Sequence, residues 1–221
     1  MRNAAVLWTG GKDSYLSLLD VRERMSVTRL VTFAPDPPRP FLAHPLETMA
    51  AQASALGIEH EVARLRGPVA EAYEKAIDDL AERGIEVLVT GDMDRVAGHD
   101  SWIEERARDR VEVERPLWGA DRIGVLRRLI AKHVDVVCTL SRKDAFDEPI
   151  VGRRFDAALV DELAQRHGRD GFDACGENGE YHTCVVGGPG FAEPLRFTGV
   201  RVAETDEFHH IAFDGVERGG G

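Results

Sequence analysis

The chain has 221 residues, 43% hydrophobic, 30% charged and 7% aromatic, enough for one large domain or for a domain with a smaller companion and a sizeable buried core. Lys+Arg 28 against Asp+Glu 39 leave a formal charge of −11, which disfavours nonspecific attraction to nucleic-acid phosphates or to an anionic membrane surface. Three cysteines, Cys138, Cys175 and Cys184, form no CxxC pair, so neither a disulfide framework nor a cysteine-rich zinc site is expected.

The start MRNAAVLWTGGKDS has only a short apolar run, and no later run reaches transmembrane length. The expectation is a cytoplasmic protein with reduced, structural thiols. Residues 141–221 carry nine basic and sixteen acidic side chains, so the last third is the more acidic part.

In chain order, residues 4–8 read as a strand covered on both faces, followed by a glycine turn and a helix over residues 14–25. Leu30–Phe33 is a short strand, and the segment with Pro35, Pro37, Pro38, Pro40 and Pro45 is a loop. Leu46–Leu56 is an alanine-rich helix ended by Gly57. Then follow a strand at Glu61–Leu65, a helix at Val69–Arg83 and a strand at Ile85–Thr90. Residues 99–109 read as helix, Val111–Leu117 as strand, Ile123–Lys132 as helix and Val134–Leu140 as strand. Strands separated by helices predict an α/β fold, a Rossmann-like parallel sheet with helices on both faces that binds ligands at the carboxyl ends of its strands.

After Leu140 the rhythm changes. A helix at Phe155–His167 precedes the glycine- and acid-rich DGFDACGENGEYHT, and strands are expected at Tyr181–Val186, Leu195–Val202 and Phe208–Phe213. This predicts a nucleotide domain over residues 1–140 and a smaller α+β domain over 141–221, with ERGGG a frayed tail.

Thr9-Gly10-Gly11-Lys12-Asp13-Ser14 lies between the first strand and the first helix. A pyrophosphate there needs several backbone N–H groups, close approach without Cβ atoms, and a cation, and this hexapeptide supplies all three. Lys12 would carry the charge, Thr9 and Ser14 would donate from hydroxyls, and Asp13 would cap the turn. The loop matches neither GxxxxGK[ST] nor GxGxxG. The alternative is a glycine turn capping a helix, with a solvated lysine.

TGGKDS resembles the SGGKDS loop of the N-type ATP pyrophosphatases, with Thr9 in place of serine. Together with Ala53-Leu56-Gly57, Thr90-Gly91-Asp92, Pro116-Leu117-Trp118-Gly119 and Cys175-Gly176-Glu177-Asn178-Gly179-Glu180-Tyr181-His182-Thr183, the chain resembles the diphthine–ammonia ligase family. That resemblance implies ATP, with Mg²⁺, on residues 9–14, a carboxylate substrate activated as its adenylate, and ammonia as the nucleophile. It also brings diphthine on elongation factor 2 forward as a candidate protein partner. The ligases that complete diphthamide commonly carry Gly-Glu-Gly-Gly-Glu-Tyr; the Asn178 and His182 here, and Gly91-Asp92-Met93-Asp94, look more like bacterial relatives, for some of which a link to cobalamin metabolism has been proposed.

The resemblance assigns Lys12, Glu177, Glu180 and His182 as catalytic. Thr9, Gly10, Gly11, Lys12, Asp13, Ser14, Gly91 and Asp92 are read as nucleotide-binding and Asn178, Gly179 and Thr183 as substrate-binding, with Asn178 and Thr183 supplying neutral hydrogen bonds or else only stabilising the turn. Glu177 and Glu180 would orient ammonia or hold Mg²⁺, or form a solvated acidic turn. His182 would exchange a proton or hold a structural place on a strand. Asp92 and Asp94 would hold Mg²⁺ or a ribose hydroxyl, or cap a helix. His44 could approach the adenine, and His99 with Asp100 reads as a surface helix start. Trp118 would wall the cleft or belong to the core, and the Arg-rich segment 122–128 reads as a solvated face. His209-His210 lacks the partners of a metal site. No nucleic-acid or membrane partner is expected, and a homodimer is compatible with the sequence. The rival functions are a nucleotide-binding regulatory or cobalamin-related protein without turnover and, disfavoured by charge and by the missing CxxC, tRNA thiolation.

Overall fold

β1 (Arg2–Leu7) holds Ala4, Ala5 and Val6 entirely out of solvent, as the unbroken apolar run requires. It is the middle strand of five, because β2 (Met25–Pro35) and β4 (Val87–Val89) pair with it on either side, both parallel. β3 (Glu59–Leu65) continues from β2 and β5 (Glu112–Glu114) from β4, again parallel, giving the order β3-β2-β1-β4-β5. This is the Rossmann-like sheet expected from the alternation of strands and helices. The computed structural model describes residues 1–38, 41–95 and 102–219, so His99, Asp100, Pro40 and the last two glycines of the tail lie outside the described residues.

The chain forms two compact units. The first comprises Met1–Thr9, Asp13–Pro40 and Ile58–Gly119, and contains the parallel sheet. Its helices are α1 (Lys12–Val21, from Asp13 onward), α3 (Val69–Glu82) and α4 (Trp102–Ala107). α3 buries Ala72, Ala76, Ile77 and Leu80, the stripe a 3.6-residue repeat puts on one face. Ile77 and Leu80 pack with Ala5, Val31 and Leu88 of the sheet and with Ile103 and Ala107 of α4. Each fully buried Ile or Leu contributes about 1.5–3 kcal/mol in removed apolar surface.

The second unit comprises Gly10–Lys12, Phe41–Gly57 and Ala120–Gly221. Its four-stranded sheet runs β7 (Tyr181–Gly187), β6 (Asp135–Arg142), β10 (Phe208–Ala212), β9 (Arg201–Glu204), all antiparallel. β8 (Leu195–Thr198) and β11 (Gly215–Arg218) form a separate antiparallel pair. Its helices are α2 (Leu46–Leu56), α5 (Arg122–Ala131) and α6 (Ala157–Arg166). α2 ends at Gly57 with φ +67°, whose N–H reaches the carbonyls of Ala53 and Ser54, the left-handed stop that glycine permits. Asp121 and Asp156 cap α5 and α6 by accepting from Gly124 N and Leu159 N.

The division differs from a boundary at residue 140, and the second unit is no smaller than the first. β6 is the reason: the strand expected to extend the alternation lies antiparallel between β7 and β10. Val136 to Ser141 are buried throughout, and a strand covered on both faces has no alternation to reveal its neighbours' direction. Residues 195–202 form two strands rather than one, broken at Gly199 with φ +60°. Glu217 and Arg218 of the supposed tail pair with β8.

Candidate functional site

In the first unit the chain leaves β1 at an exposed Thr9, and Thr9 Oγ1 lies 3.3 Å from the buried Ser14 Oγ, so the two hydroxyls expected to serve phosphate are neighbours. At the end of β4, a Cβ on Gly91 would stand 2.8 Å from Asp13 C and Ser14 N. Only glycine lets the strand end approach the start of α1 this closely, which is the physical content of the Thr90-Gly91-Asp92 motif.

Asp92 is half-buried, with its N–H donating to Thr90 Oγ1 at 3.2 Å. Burial raises its carboxyl above the usual range; the Thr90 hydroxyl and Arg115 act against the shift, and Asp13 adds to it. Asp94 is exposed and its Oδ1 accepts from Arg95 N at 2.8 Å. Trp118 is 37% exposed beneath the Arg115 guanidinium, 3.9 Å from the ring centroid, while the preceding Leu117 is buried. Of the two places offered for Trp118, the core is not the one it takes.

In the second unit, two motifs far apart in sequence meet at Lys12. Its backbone N–H donates to Thr183 Oγ1 at 3.1 Å, and its ammonium donates to the Cys175 carbonyl and lies 5.4 Å from the Tyr181 ring centroid. Lys12 is 2% exposed, so its charge is held by a carbonyl and an aromatic face rather than by bulk water. Gly10, at φ +73°, offers its carbonyl to Val185 N at 2.9 Å and to Gln52 Nε2 at 2.8 Å.

Gln52 is a residue that sequence reasoning missed. It is wholly buried on α2 and also donates to the Val185 carbonyl at 2.7 Å, so one amide ties α2 to both the loop and β7. A long polar side chain inside the alanine-rich helix was the available signal, since a buried amide needs partners.

The turn 175–183 is shaped by its own carboxylates. Glu180 is 1% exposed; Oε1 accepts from Asp173 N at 2.7 Å and Oε2 from Asn178 N at 3.1 Å. Asp173 in turn accepts from Cys175 N at 2.7 Å and pairs with Arg122 at 2.8 Å, with both side chains 12% exposed. Arg122 therefore departs from the solvated arginine face read in segment 122–128. Asn178 is occupied as well, its side chain donating to the Gly171 carbonyl and its own carbonyl accepting from Arg142. Gly176 and Gly179 take φ +80° and +79°, and a Cβ on Gly176 would stand 2.7 Å from Tyr181 O. Glu177 is exposed. The two glutamates are therefore unlike: Glu180 organises the turn from within, and Glu177 is exposed and near enough to Arg122 to act on it electrostatically.

His182 is exposed on β7, and its ring meets His44 edge to face, centroids 5.4 Å apart. Burial, then His182 and then Lys12 lower the His44 pKa to about 3. His44 is thus in the second unit beside the two residues assigned to chemistry. The thiols of Cys138 and Cys184 are pushed up to about 12, chiefly by burial, and all three cysteines are free and buried. His209 lies 3.7 Å from Glu204. Among the described residues no three His, Cys, Asp or Glu side chains converge as a metal cluster, and no helix is long and apolar enough to cross a membrane.

Comparison with known proteins gives family matches along most of the chain: the diphthamide synthase N-terminal domain over residues 1–112 and the diphthamide synthase C-terminal domain over residues 121–217. No curated protein matches. A solved structure described as a predicted subunit of tRNA methyltransferase from Methanocaldococcus jannaschii is similar at 17% identity and a TM-score of 0.46, over 86% of this chain and 98% of that one. With both family models matched in order, the chain belongs to the diphthamide synthase family of diphthine–ammonia ligase-like proteins.

Proposed function

We propose that the protein is an ATP-dependent ligase that activates a carboxylate as its acyl-adenylate and transfers the acyl group to ammonia. The observation that carries this reading is the double hold on Lys12 by Thr183 and Cys175, which joins the loop suited to phosphate to the family's most distinctive motif. Residues 9–14 bind the triphosphate through backbone amides, the Thr9 and Ser14 hydroxyls and the Lys12 ammonium. The fit rests on a lysine already desolvated, 2% exposed and held at the loop by the Cys175 carbonyl. Magnesium carried with the ATP would supply charge shielding of the phosphates, and Asp92 is the carboxylate that would hold it.

A carboxylate at neutral pH is a poor electrophile. Its oxygen attacks the α-phosphorus, the bond from that phosphorus to the bridging oxygen breaks, and pyrophosphate leaves. Lys12 and the loop amides stabilise the charge that develops on the phosphates. Ammonia then attacks the carbonyl carbon, the bond to the AMP oxygen breaks, and AMP leaves while the nitrogen gives up a proton. Glu177 and His182, both exposed, are the groups suited to receive it. The family name makes protein-bound diphthine a candidate acceptor.

One observation favours a second reading, nucleotide binding of a regulatory or cobalamin-related kind without turnover: the Glu180 carboxylate is taken up by the loop's own amides and is not left for chemistry. Release of AMP and pyrophosphate separates the two. Purified protein given Mg·ATP, ammonia and a panel of carboxylates, including diphthine-bearing elongation factor 2, should release both products in equal amounts. Tight ATP binding with neither product would support the second reading.

A further inference from the structure

α2 begins at Leu46 after a proline N-cap that supplies no side-chain hydrogen bond. Two polar atoms at this end have no hydrogen-bond partner among the described residues although both are buried: His44 Nδ1, two residues before the helix, and Thr48 Oγ1 in its first turn, on a side chain 2% exposed. A buried polar atom without a partner costs about 1–3 kcal/mol, so two at one helix end are retained against a steady cost. The amino end of an eleven-residue helix also carries partial positive charge. The second unit places the Lys12 ammonium close enough to act on His44 electrostatically. Unsatisfied polar groups, a positive helix end and a buried lysine are together complementary to an oxyanion.

We propose that His44 is a phosphoryl-oxygen ligand, donating from Nδ1 to an oxygen of the nucleotide that Lys12 also serves. This rests on the reading that residues 9–14 hold ATP. The edge-to-face contact with His182 fixes the His44 ring, and the ring is kept neutral by burial, His182 and Lys12. A neutral imidazole has a single N–H, and in the Nδ1–H tautomer that proton lies on the unpartnered atom. The Thr48 hydroxyl is a second donor one turn into the helix. Carboxylate shares the oxyanion chemistry, so the test includes both sources.

Full-length ¹⁵N-labelled protein is titrated separately with Mg·ATP, inorganic pyrophosphate, AMP and acetate while the imidazole nitrogens are followed by NMR, with His44 assigned by its loss in His44→Asn. The expected result is movement of His44 Nδ1 with ATP and with pyrophosphate or AMP, and none with acetate. His44→Ala should weaken Mg·ATP binding about tenfold or more, the loss expected for a hydrogen bond to a charged group. His44→Asn, whose amide nitrogen can stand where Nδ1 stood, should stay within about threefold of the parent. ATP binding unchanged in His44→Ala, or a response to acetate alone, would overturn the inference and leave the nucleotide reading intact. No ATP binding by the parent with Nδ1 still answering pyrophosphate would support the ligand and remove the nucleotide reading, and silence to all four probes would overturn both.

Discussion

Thr183 Oγ1 accepts the backbone N–H of Lys12 at 3.1 Å, a hydrogen bond within the second unit between the Gly10–Lys12 stretch and β7. The first N–H groups of a helix have no partner within it, so they need an acceptor from elsewhere. Lys12 is that first residue, and both atoms are buried.

Thr183→Val keeps the shape and removes the buried acceptor that the Lys12 N–H uses. The expected loss is about 1–3 kcal/mol of stability, read from urea unfolding, together with weaker Mg·ATP binding in calorimetry. Thr183→Ser restores both if the hydroxyl is what matters. Equal effects of Val and Ser would assign the role to packing.

Gln52→Leu leaves the carbonyls of Gly10 and Val185 without their side-chain donor in a buried setting. The cost should reach about 2–4 kcal/mol, and the thermal midpoint should fall by several degrees. Gly10→Ala should be at least as harmful, because its Cβ would stand 2.2 Å from Gln52 Oε1 at a backbone φ of +73°. The double variant is expected to be less than additive, since both changes disturb the same contact.

The two glutamates of the turn should separate. Glu180→Gln replaces one acceptor oxygen with a donor facing a backbone N–H, so it should lower stability by about 1–3 kcal/mol and impair turnover as a consequence. Glu177→Gln, on an exposed side chain, should leave the unfolding curve unchanged within about 0.5 kcal/mol and reduce product release only. A turnover loss in Glu177→Gln with normal ATP binding would place that carboxylate at the chemistry.

His44 and Asp92 predict opposite trends with pH. The His44 pKa falls from 6.5 to about 3 on folding, so the unfolded chain binds its proton first, and stability is lost as pH drops from about 6.5 toward 3. His44→Asn should flatten that slope in chemical denaturation at successive pH values. The Asp92 carboxyl is shifted upward, so its contribution is fully present below the ordinary Asp range and is lost as pH rises through the shifted value. Asp92→Asn should therefore raise the thermal midpoint at pH 7 while weakening Mg·ATP binding.

The parallel sheet was legible because its strands are apolar runs separated by helices with marked stops: Leu46–Leu56 with Gly57 is found at the residues expected. β6 was not assignable to its sheet, since a strand buried on both faces carries the same pattern whether its neighbours run parallel or antiparallel. The glycines of the two motifs were legible as places without room for a Cβ, and Gly10, Gly91 and Gly176 meet that condition. The inward turn of Glu180, the Arg122–Asp173 pair and the reach of Gln52 depend on contacts between residues distant in the chain. Local sequence encodes which residues can make such bonds but not which ones meet.

The second unit is assembled from three stretches of chain, and two of them, Gly10–Lys12 and Phe41–Gly57, precede the interval between the two family matches. A fragment starting at Ala120 would lack Ala55, which packs with Val137, Cys184 and Val186, and would lack the amide that holds Val185. The sequence interval that looks like a natural place to cut would thus expose the apolar side of β7. Expression of the carboxyl-terminal part alone is expected to give aggregated material, whereas a circular permutation preserving all three stretches would retain every residue the unit needs.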